Sequence, residues 1–346
     1  MAPAIPNRHA ANSHFAHDNE MFEFASWHDS SSLERLDTAR QQIEEELVLV
    51  RSLMRESLGA PSRWPAVAAS RYHLDTGGSY LRARLALMSG LAFGSSLAHR
   101  TAAAAAAELV HNASLVHDDI CDMDISRRGH PSVWQRENAA VALCSGDLLL
   151  TAAFRVVLKS DSPDRCMSLV RVLTDRVSQI VAGQSMEVAR PHSDAIMTLH
   201  DYLDATLAKT SPLIVLPLEA GAMGGELSDE QGALLLRFAN AVGLSYQIID
   251  DLDDVDVHSH TPHDPRIHHR YHAWTWHWSR RQESTPSALR DALNRALTHA
   301  DAALARAERL KAHFPALLAY TLDDVIDKLR ERLMAHRETT RTLSGN

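Results

Sequence analysis

Apolar residues recur at helical spacing along almost the whole chain. Residues 1–30 are polar and lack this period, so we expect a disordered N-terminal tail there. A helix then begins with Ser31 and, three residues on, Glu34, a spacing typical of a capping box. Its apolar positions lie on one face of a 3.6-residue period: Leu33, Leu36, Ile43, Leu47 and Met54. Gly59 and Pro61 end this helix.

The same period predicts further helices over 81–95, 101–123, 139–158, 165–189, 197–222, 229–254, 287–312 and 318–340. The chain has no alternating pattern typical of strands and no internal repeat. We therefore predict an all-α protein, with one helical domain over residues 31–346.

Residues 256–286 interrupt the helical pattern. They hold seven of the 21 histidines and three of the six tryptophans, among prolines and mixed polar residues, which favours a loop with a short helix. Histidines 258 and 260, or 268, 269 and 272, could bind a transition metal. We favour a lid, in which tryptophans 274, 276 and 278 supply an apolar cover.

Composition excludes several classes of protein. The net charge of −9 argues against a general nucleic-acid-binding protein. Three cysteines, at positions 121, 144 and 166, lack metal or redox spacing and suit a reducing compartment. No signal peptide is recognisable, and the longest apolar candidate for a membrane span, 212–223, is short and contains Pro217 and Glu219. We predict a soluble, cytoplasmic protein without a transmembrane segment.

Two aspartate motifs carry the strongest chemical signal. The first consists of Asp118, Asp119 and Asp122, and the second of Asp250, Asp251 and Asp254. Residues i and i+4 share a helix face, so each motif presents carboxylates along one edge of a helix. Two such edges facing each other could bind Mg²⁺, which takes a few carboxylates, keeps waters and bridges to phosphates.

An acidic cluster is more often a solvated surface patch than a metal site. One motif alone would leave these interpretations about even. Apolar residues precede both motifs, at 113–116 and 242–245, which favours carboxylates at the mouth of an apolar channel.

The chain resembles the trans-isoprenyl diphosphate synthase (polyprenyl synthetase) family over about residues 70–255. The similar strings are GGSYLRARL (77–85), ELVHNASLVHDDICDMDISRRGHPSVW (108–134), GDLLL (146–150), GQSMEV (183–188), AKTSPL (208–213) and YQIIDDLDD (246–254). The resemblance implies a single-domain bundle of about ten or more antiparallel helices around a central cavity, the isoprenoid synthase type. It also implies a homodimer and about three Mg²⁺ ions bound by both motifs.

The resemblance implies roles for further residues. Those expected near an allylic prenyl diphosphate are Arg127, Lys209, Thr210 and Gln247, of which Lys209 is also expected to assist catalysis. Those expected to bind isopentenyl diphosphate are Arg82, His111 and Arg128. Small residues at Ala113 and Ser114, and at Gly243, predict a deep pocket for chains of about twenty carbons.

Two departures weaken the expected isopentenyl diphosphate site. Ser79 stands where the family has a phosphate-binding lysine, and residues 256–286 contain no lysine. A hydroxyl cannot replace an ammonium group facing a phosphate. We predict a prenyltransferase that condenses an allylic diphosphate with isopentenyl diphosphate, because Arg82, His111 and Arg128 are present. Two alternatives are a single-substrate class I terpene synthase and a non-catalytic partner subunit of a prenyl synthase.

Overall fold

Helices account for most of the described chain. The computed structural model describes residues 30–60, 63–188, 198–253, 255–256, 261–262 and 286–342. The helices are α1 (Ser30–Ser57), α2 (Pro65–Asp75), α3 (Leu81–Ala92), α4 (Leu97–Asp122), α5 (Val133–Arg136), α6 (Ala139–Val157), α7 (Pro163–Val188), α8 (Leu199–Lys209), α9 (Pro212–Ala222), α10 (Asp229–Asp253), α11 (Pro286–Lys311) and α12 (Ala316–Thr342). The predicted all-α class is confirmed.

Four very short strands accompany the helices in the described residues. They are β1 (Ser126–Arg127), β2 (His130–Pro131), β3 (Val255–Asp256) and β4 (Thr261–Pro262). β1 pairs with β2 and β3 with β4, both antiparallel. Each is only two residues long, which explains why the sequence gives no alternating pattern for them.

α4 lies at the centre of the bundle. It packs against α1, α3, α6 and α9, and Ala102–Ala107 on this helix are all buried. The side chain of Ser96 accepts a hydrogen bond from the backbone N–H of His99 and caps its start. Met123, in the left-handed region at φ 56°, ends it directly after Asp122. The first aspartate motif is therefore the C-terminal end of a buried helix.

α3 and α9 approach each other closely. A Cβ atom on Gly221 would lie 2.1 Å from the carbonyl oxygen of Ala86. Ser89 and Ser95 add hydrogen bonds to the carbonyls of Leu218 and Gly221, at 2.7 and 2.6 Å. Backbone contact at this crossing fixes α9, and with it the loop that enters α9, relative to the core.

Two sequence predictions are wrong. The predicted helix over 197–222 is two helices, α8 and α9, because Pro212 lacks the N–H donor that would continue α8 and instead occupies the first position of α9. The helix α2, which begins with Pro65 at its first position, lies in a stretch for which no helix was predicted.

Two described helices, α6 and α10, are long and apolar enough to cross a membrane by length and composition. The expectation that no stretch reaches that length therefore does not hold for them. Of these two windows, 44% and 50% are buried inside the protein, and two such helices are weak evidence for membrane spans. The predicted tail (1–30) and most of the His/Trp-rich segment (256–286) lie outside the described residues.

Candidate active site

The first aspartate motif is anchored by an arginine. Asp119 is 1% exposed and accepts a hydrogen bond from Nε of Arg127 at 2.9 Å. Burial raises the pKa of Asp119, and Arg127 opposes that effect. The other oxygen, Oδ2, is buried without a hydrogen-bond partner. An orphaned carboxylate oxygen at the end of α4 is suited to a cation that the protein itself does not supply.

The two adjacent arginines at the turn between β1 and β2 contact different parts of the site. Arg128 and Gly129 both have left-handed backbone conformations, at φ 54° and 76°, which turns the chain sharply between the two strands. Arg127 contacts the first motif and Asp124, whereas Arg128 donates to the carbonyl of Gly77. Neighbouring residues therefore bring positive charge to two separate parts of the site.

The second motif is held by a chain of hydrogen bonds. Asp251, 2% exposed, accepts from the hydroxyl of Tyr202 at 2.9 Å and from Nε2 of Gln247 at 2.8 Å. Thr210 in turn donates to Oε1 of Gln247 at 2.9 Å. Burial and the nearby Asp251 raise the pKa of Tyr202 well above its ordinary value, so the phenol remains a donor. The predicted sixth aspartate, Asp254, lies outside the described residues.

The break between α8 and α9 brings the two motifs to the same end of the bundle. Nζ of Lys209 lies 3.9 Å from Oδ1 of Asp118 at the first motif. Its neighbour Thr210 is bonded to Gln247, one helical turn before Asp251. The adjacent residues Lys209 and Thr210 therefore link the two motifs, Lys209 directly to the first and Thr210 through Gln247 to the second. Five residues predicted from the sequence meet here: Asp118, Lys209, Thr210, Gln247 and Asp251.

The last helix adds two residues that sequence reasoning missed. Nη2 of Arg332 lies 3.5 Å from Oδ1 of Asp250 and also pairs with Asp253. Nε2 of His336 lies 2.6 Å from Oδ1 of Asp253. Both contacts span about 80 residues of sequence, and no local pattern marks them.

A second polar group surrounds the residues predicted for isopentenyl diphosphate. His111 is partly buried, and its pKa is lowered well below the ordinary value by loss of solvation and then by Arg82 and Arg128. Its Nδ1 has no hydrogen-bond partner. The carboxylate of Glu108 accepts from the backbone N–H of Ala83 at 3.0 Å. The structure thus brings Arg82, His111 and Arg128 together.

Three buried residues complete this group and were not predicted. Asn112 donates to the carbonyl of Glu108 at 2.8 Å and lies 3.1 Å from Nε2 of His73. Burial is the main reason that the pKa of His73 falls to about 4. Glu108 and Asn112 are four residues apart and flank His111 on α4, so helical spacing could have identified them.

Comparisons with known proteins agree with this geometry. Residues 66–264 match the polyprenyl synthetase family. The chain belongs to the polyprenyl synthetase family. It is 36% identical over 188 residues to a geranylgeranyl diphosphate synthase from Methanosarcina mazei, covering 54% of this chain and 58% of that protein. It is 33% identical over 202 residues to a short chain isoprenyl diphosphate synthase from Methanothermobacter thermautotrophicus, covering 58% and 62%. The chain thus matches just over half the length of these curated relatives.

Solved structures support the polyprenyl synthetase fold. A decaprenyl diphosphate synthase from Rhodobacter capsulatus superposes with a TM-score of 0.73 at 22% identity, covering 86% of this chain and 99% of that one. An FPP/GFPP synthase from Zymomonas mobilis gives 0.67 at 26% identity, covering 86% and 99%. These structural alignments cover 86% of the chain, whereas the sequence matches to the two curated relatives cover 54% and 58% of it.

The polyprenyl synthetase family is generally Mg²⁺-dependent. Among the described residues, no three His, Cys, Asp or Glu side chains converge on one point. Mg²⁺ does not require such a cage, because it is commonly bound by one or two carboxylates together with waters and substrate phosphates. The unpartnered Oδ2 of Asp119 is one such carboxylate oxygen.

The small residues before the motifs have different environments. Ala113 is 3% exposed in the core before the first motif. Ser114 donates its hydroxyl to the carbonyl of His111 at 2.8 Å. The expectation that Gly243 adds pocket space is wrong, because a Cβ atom there would lie 2.8 Å from Oγ of Ser211. Gly243 allows α10 to pack against the start of α9.

Proposed function

We propose that this chain is a Mg²⁺-dependent prenyltransferase that condenses an allylic prenyl diphosphate with isopentenyl diphosphate, giving a chain of about twenty carbons. The observation that carries the proposal is the pair Lys209 and Thr210, one beside Asp118 and the other bonded to Gln247, which donates to Asp251 of the second motif. This arrangement supports a diphosphate site between two acidic helix ends. The names of two relatives that match half the chain are consistent with it.

The proposed allylic site uses charge on both sides of the diphosphate. Arg127 and Lys209 bind the diphosphate and stabilise the negative charge that grows on it as the allylic carbon–oxygen bond breaks. Thr210 and Gln247 orient Asp251 through hydrogen bonds. Mg²⁺, about three ions, would neutralise further charge on the diphosphate. The proposed ligands of these ions are Asp118, Asp119, Asp122, Asp250, Asp251 and Asp254.

The proposed second site binds isopentenyl diphosphate through Arg82, His111 and Arg128. The lowered pKa of His111 keeps its imidazole neutral near pH 7, so it contacts phosphate as a hydrogen-bond donor and adds no charge. The π-electrons of isopentenyl diphosphate attack the allylic cation, and loss of a proton completes the new double bond. Apolar residues near Ala113 and Ser114 exclude water from the cation.

A class I terpene synthase is the second candidate. Ser79 and the lysine-free residues 256–286 favour it, since both remove positive charge expected for a second diphosphate. The deciding experiment is product analysis with Mg²⁺ and allylic diphosphates of several lengths, with and without isopentenyl diphosphate. An elongated diphosphate formed only when isopentenyl diphosphate is present supports condensation. Product formed at the same rate from the allylic substrate alone rejects it.

The two aspartate motifs give a matched test of the proposed metal site. Asp118→Asn and Asp250→Asn should abolish turnover while circular dichroism keeps its helical signal. Asp327→Asn is the control, because Asp327 is an exposed aspartate paired with Arg330 on α12. Near-normal turnover in both motif variants would overturn the proposed metal site.

We propose that the protein is a homodimer that pairs through α6 and α7. Large apolar side chains on these helices are exposed to solvent, namely Leu143 and Leu158 near α6 and Met167 and Val181 on α7, each by more than half. Exposed apolar groups of this kind are typical of protein–protein interfaces. Leu143→Glu should lower the mass measured by light scattering from that of a dimer to that of a monomer.

We propose a cytoplasmic location. All three cysteines are free thiols, and two of them are exposed, which suits a reducing compartment. Fractionation of cells that produce the chain tests this directly: recovery in the membrane fraction would contradict it.

A further inference from the structure

The second aspartate motif has two unlike sets of partners. Asp251 is buried and accepts hydrogen bonds from two uncharged donors, the hydroxyl of Tyr202 and the amide of Gln247. The side chains of Asp250 and Asp253 are about half exposed and contact the last helix, α12. One side of the motif is therefore held by neutral hydrogen bonds, and the other side faces a cation.

Arg332 is that cation. Its Nη2 lies 3.5 Å from Oδ1 of Asp250, and it donates a hydrogen bond to Oδ2 of Asp253. Nε2 of His336 lies 2.6 Å from the other carboxylate oxygen of Asp253. Residues four apart share a helix face, so Arg332 and His336 lie on the same side of α12. This face of α12 thus contacts two of the aspartates at the end of α10.

Buried leucines and a ring contact hold Arg332 in this position. Leu329 and Leu333 are 4% and 1% exposed, and each lies three residues before one of the two polar residues, on the same side of the helix. The Cζ atom of Arg332 also lies 5.6 Å from the centroid of the Tyr246 ring, one turn before Asp250 on α10. A guanidinium attracted by a ring and by two carboxylates is well fixed.

This positive charge affects what the motif can bind. Asp250 is a proposed ligand of Mg²⁺, and the guanidinium of Arg332 lies beside one of its oxygens. Like charges repel, so Arg332 weakens the attraction of Asp250 for a metal ion that arrives alone. A diphosphate has the opposite charge and is attracted both by the metal and by the guanidinium. Metal and diphosphate should therefore bind at this motif with positive coupling.

We propose that Arg332 is a positioning residue of the second motif and makes the binding of Mg²⁺ at Asp250 depend on a bound diphosphate. The inference rests on the proposed function, because it takes Asp250 as a metal ligand, and it adds a residue outside the resemblance. Before metal binds, Arg332 balances the charge of Asp250 and Asp253 and keeps the end of α10 against α12. Removing its charge should have opposite effects on the two ligands.

Two titrations of one variant test this. Mn²⁺ replaces Mg²⁺ for electron paramagnetic resonance, and without diphosphate at low salt Arg332→Gln should bind it about tenfold more tightly than wild type does. In saturating Mg²⁺, calorimetry should show that the same variant binds inorganic diphosphate about tenfold more weakly. Loss of a structural contact alone would weaken both ligands. Two shifts in the same direction, or no shift, would overturn the inference.

Two further variants separate charge from position. Arg330→Gln is the matched control, because Arg330 pairs with Asp327 on α12 and with Glu308 on α11, and it should change neither affinity. Arg332→Lys keeps the charge and should stay close to wild type in both titrations. Equal shifts in Arg330→Gln, or a lysine variant that behaves like Arg332→Gln, would contradict a role for the charge of Arg332 at the motif.

Replacing the aspartate shows whether Arg332 acts through it. In Asp250→Asn, adding Arg332→Gln should no longer tighten Mn²⁺ binding; a gain that persists rejects the inference. Asp250→Asn by itself tests the same idea with Arg332 in place, whether or not Arg332→Gln folds. It should lower Mn²⁺ affinity by less than about twofold without diphosphate and by about tenfold or more with it. A tenfold loss without diphosphate would refute the proposed dependence.

The wild-type chain separates this inference from the proposed function. If it binds inorganic diphosphate with Mn²⁺, but Arg332→Gln lacks the opposite shifts, only the role of Arg332 is rejected. If wild type makes no elongated product, the condensation is rejected, while the two titrations still decide how Arg332 acts. If wild type does not bind diphosphate with Mn²⁺ at all, the proposed site and the inference are both rejected.

Discussion

The buried hydroxyl of Tyr202 offers a test of how the second aspartate motif is held ready for metal. Tyr202→Phe keeps the ring, which is 1% exposed, and removes only the donor that lies 2.9 Å from Asp251. A hydrogen bond to a charged group contributes about 1.5–3 kcal/mol, so the free energy of unfolding should fall by about that amount. Gln247 remains as the other donor to Asp251, which favours the lower part of the range.

Tyr202→Phe should also weaken the binding of Mg²⁺. Residues that orient a metal ligand typically change metal affinity or activity by about 10- to 100-fold when they are replaced. Tyr202→Phe should therefore move the Mg²⁺ activation curve to higher concentration by about that factor. The pKa of Tyr202 is raised, so its contribution is complete below the ordinary tyrosine pKa near 10 and is lost only as pH rises beyond that value.

Two measurements check this. Urea unfolding in EDTA gives the loss of stability, and turnover against Mg²⁺ concentration gives the activation curve. Tyr320→Phe on α12 is the control: it keeps the ring that stacks with Arg40, and its stability should change by no more than about 0.5 kcal/mol. If Tyr202→Phe is as stable as wild type and has the same Mg²⁺ curve, Asp251 does not depend on this hydroxyl.

Three other predictions concern depth, packing and pH. Ala113→Phe should shorten the preferred product, which chromatography of the products measures; an unchanged product profile would place the floor of the pocket elsewhere. Gly221→Ala should destabilise the protein by about 3 kcal/mol or more in urea unfolding, since its Cβ would lie 2.1 Å from the carbonyl oxygen of Ala86. Gly232→Ala is the control. Its Cβ would have nothing within 4 Å, so this change should stabilise α10 by up to about 1 kcal/mol in the same assay. The pKa of His73 is about 4 in the folded protein and about 6.5 in the unfolded chain. The free energy of unfolding should therefore fall by up to about 3 kcal/mol as the pH drops from about 6.5 towards 4. In His73→Asn, the free energy of unfolding should fall by less over that interval.

Local signals in the sequence identify most of the site, because most of it lies on two helices. The spacing of each aspartate motif, and of His111 before Asp118, follows from the helical period alone. The same reasoning could also have found α2 and the end of α8, since Pro65 begins one and Pro212 follows the other. Proline marks these two boundaries, whereas apolar periodicity does not.

The remaining residues depend on tertiary packing. Arg332 and His336 contact Asp253 across 79 and 83 residues of sequence, and no spacing rule links such distant positions. Helical periodicity predicts which face a residue occupies, but not which other helix that face meets.

The alanine run of α4 has a consequence for motion in this protein. Ala102–Ala107 are covered on all sides, and their single methyl groups have no rotamers to exchange. Their backbone amides can reach solvent only when the helices around them separate, so their hydrogen exchange should be among the slowest in the chain. The end of α4 that carries the first aspartate motif is continuous with this rigid part of the helix. Movement that admits a substrate must then come from the elements that approach the motif, such as the junction of α8 and α9, and not from the helix on which the aspartates lie.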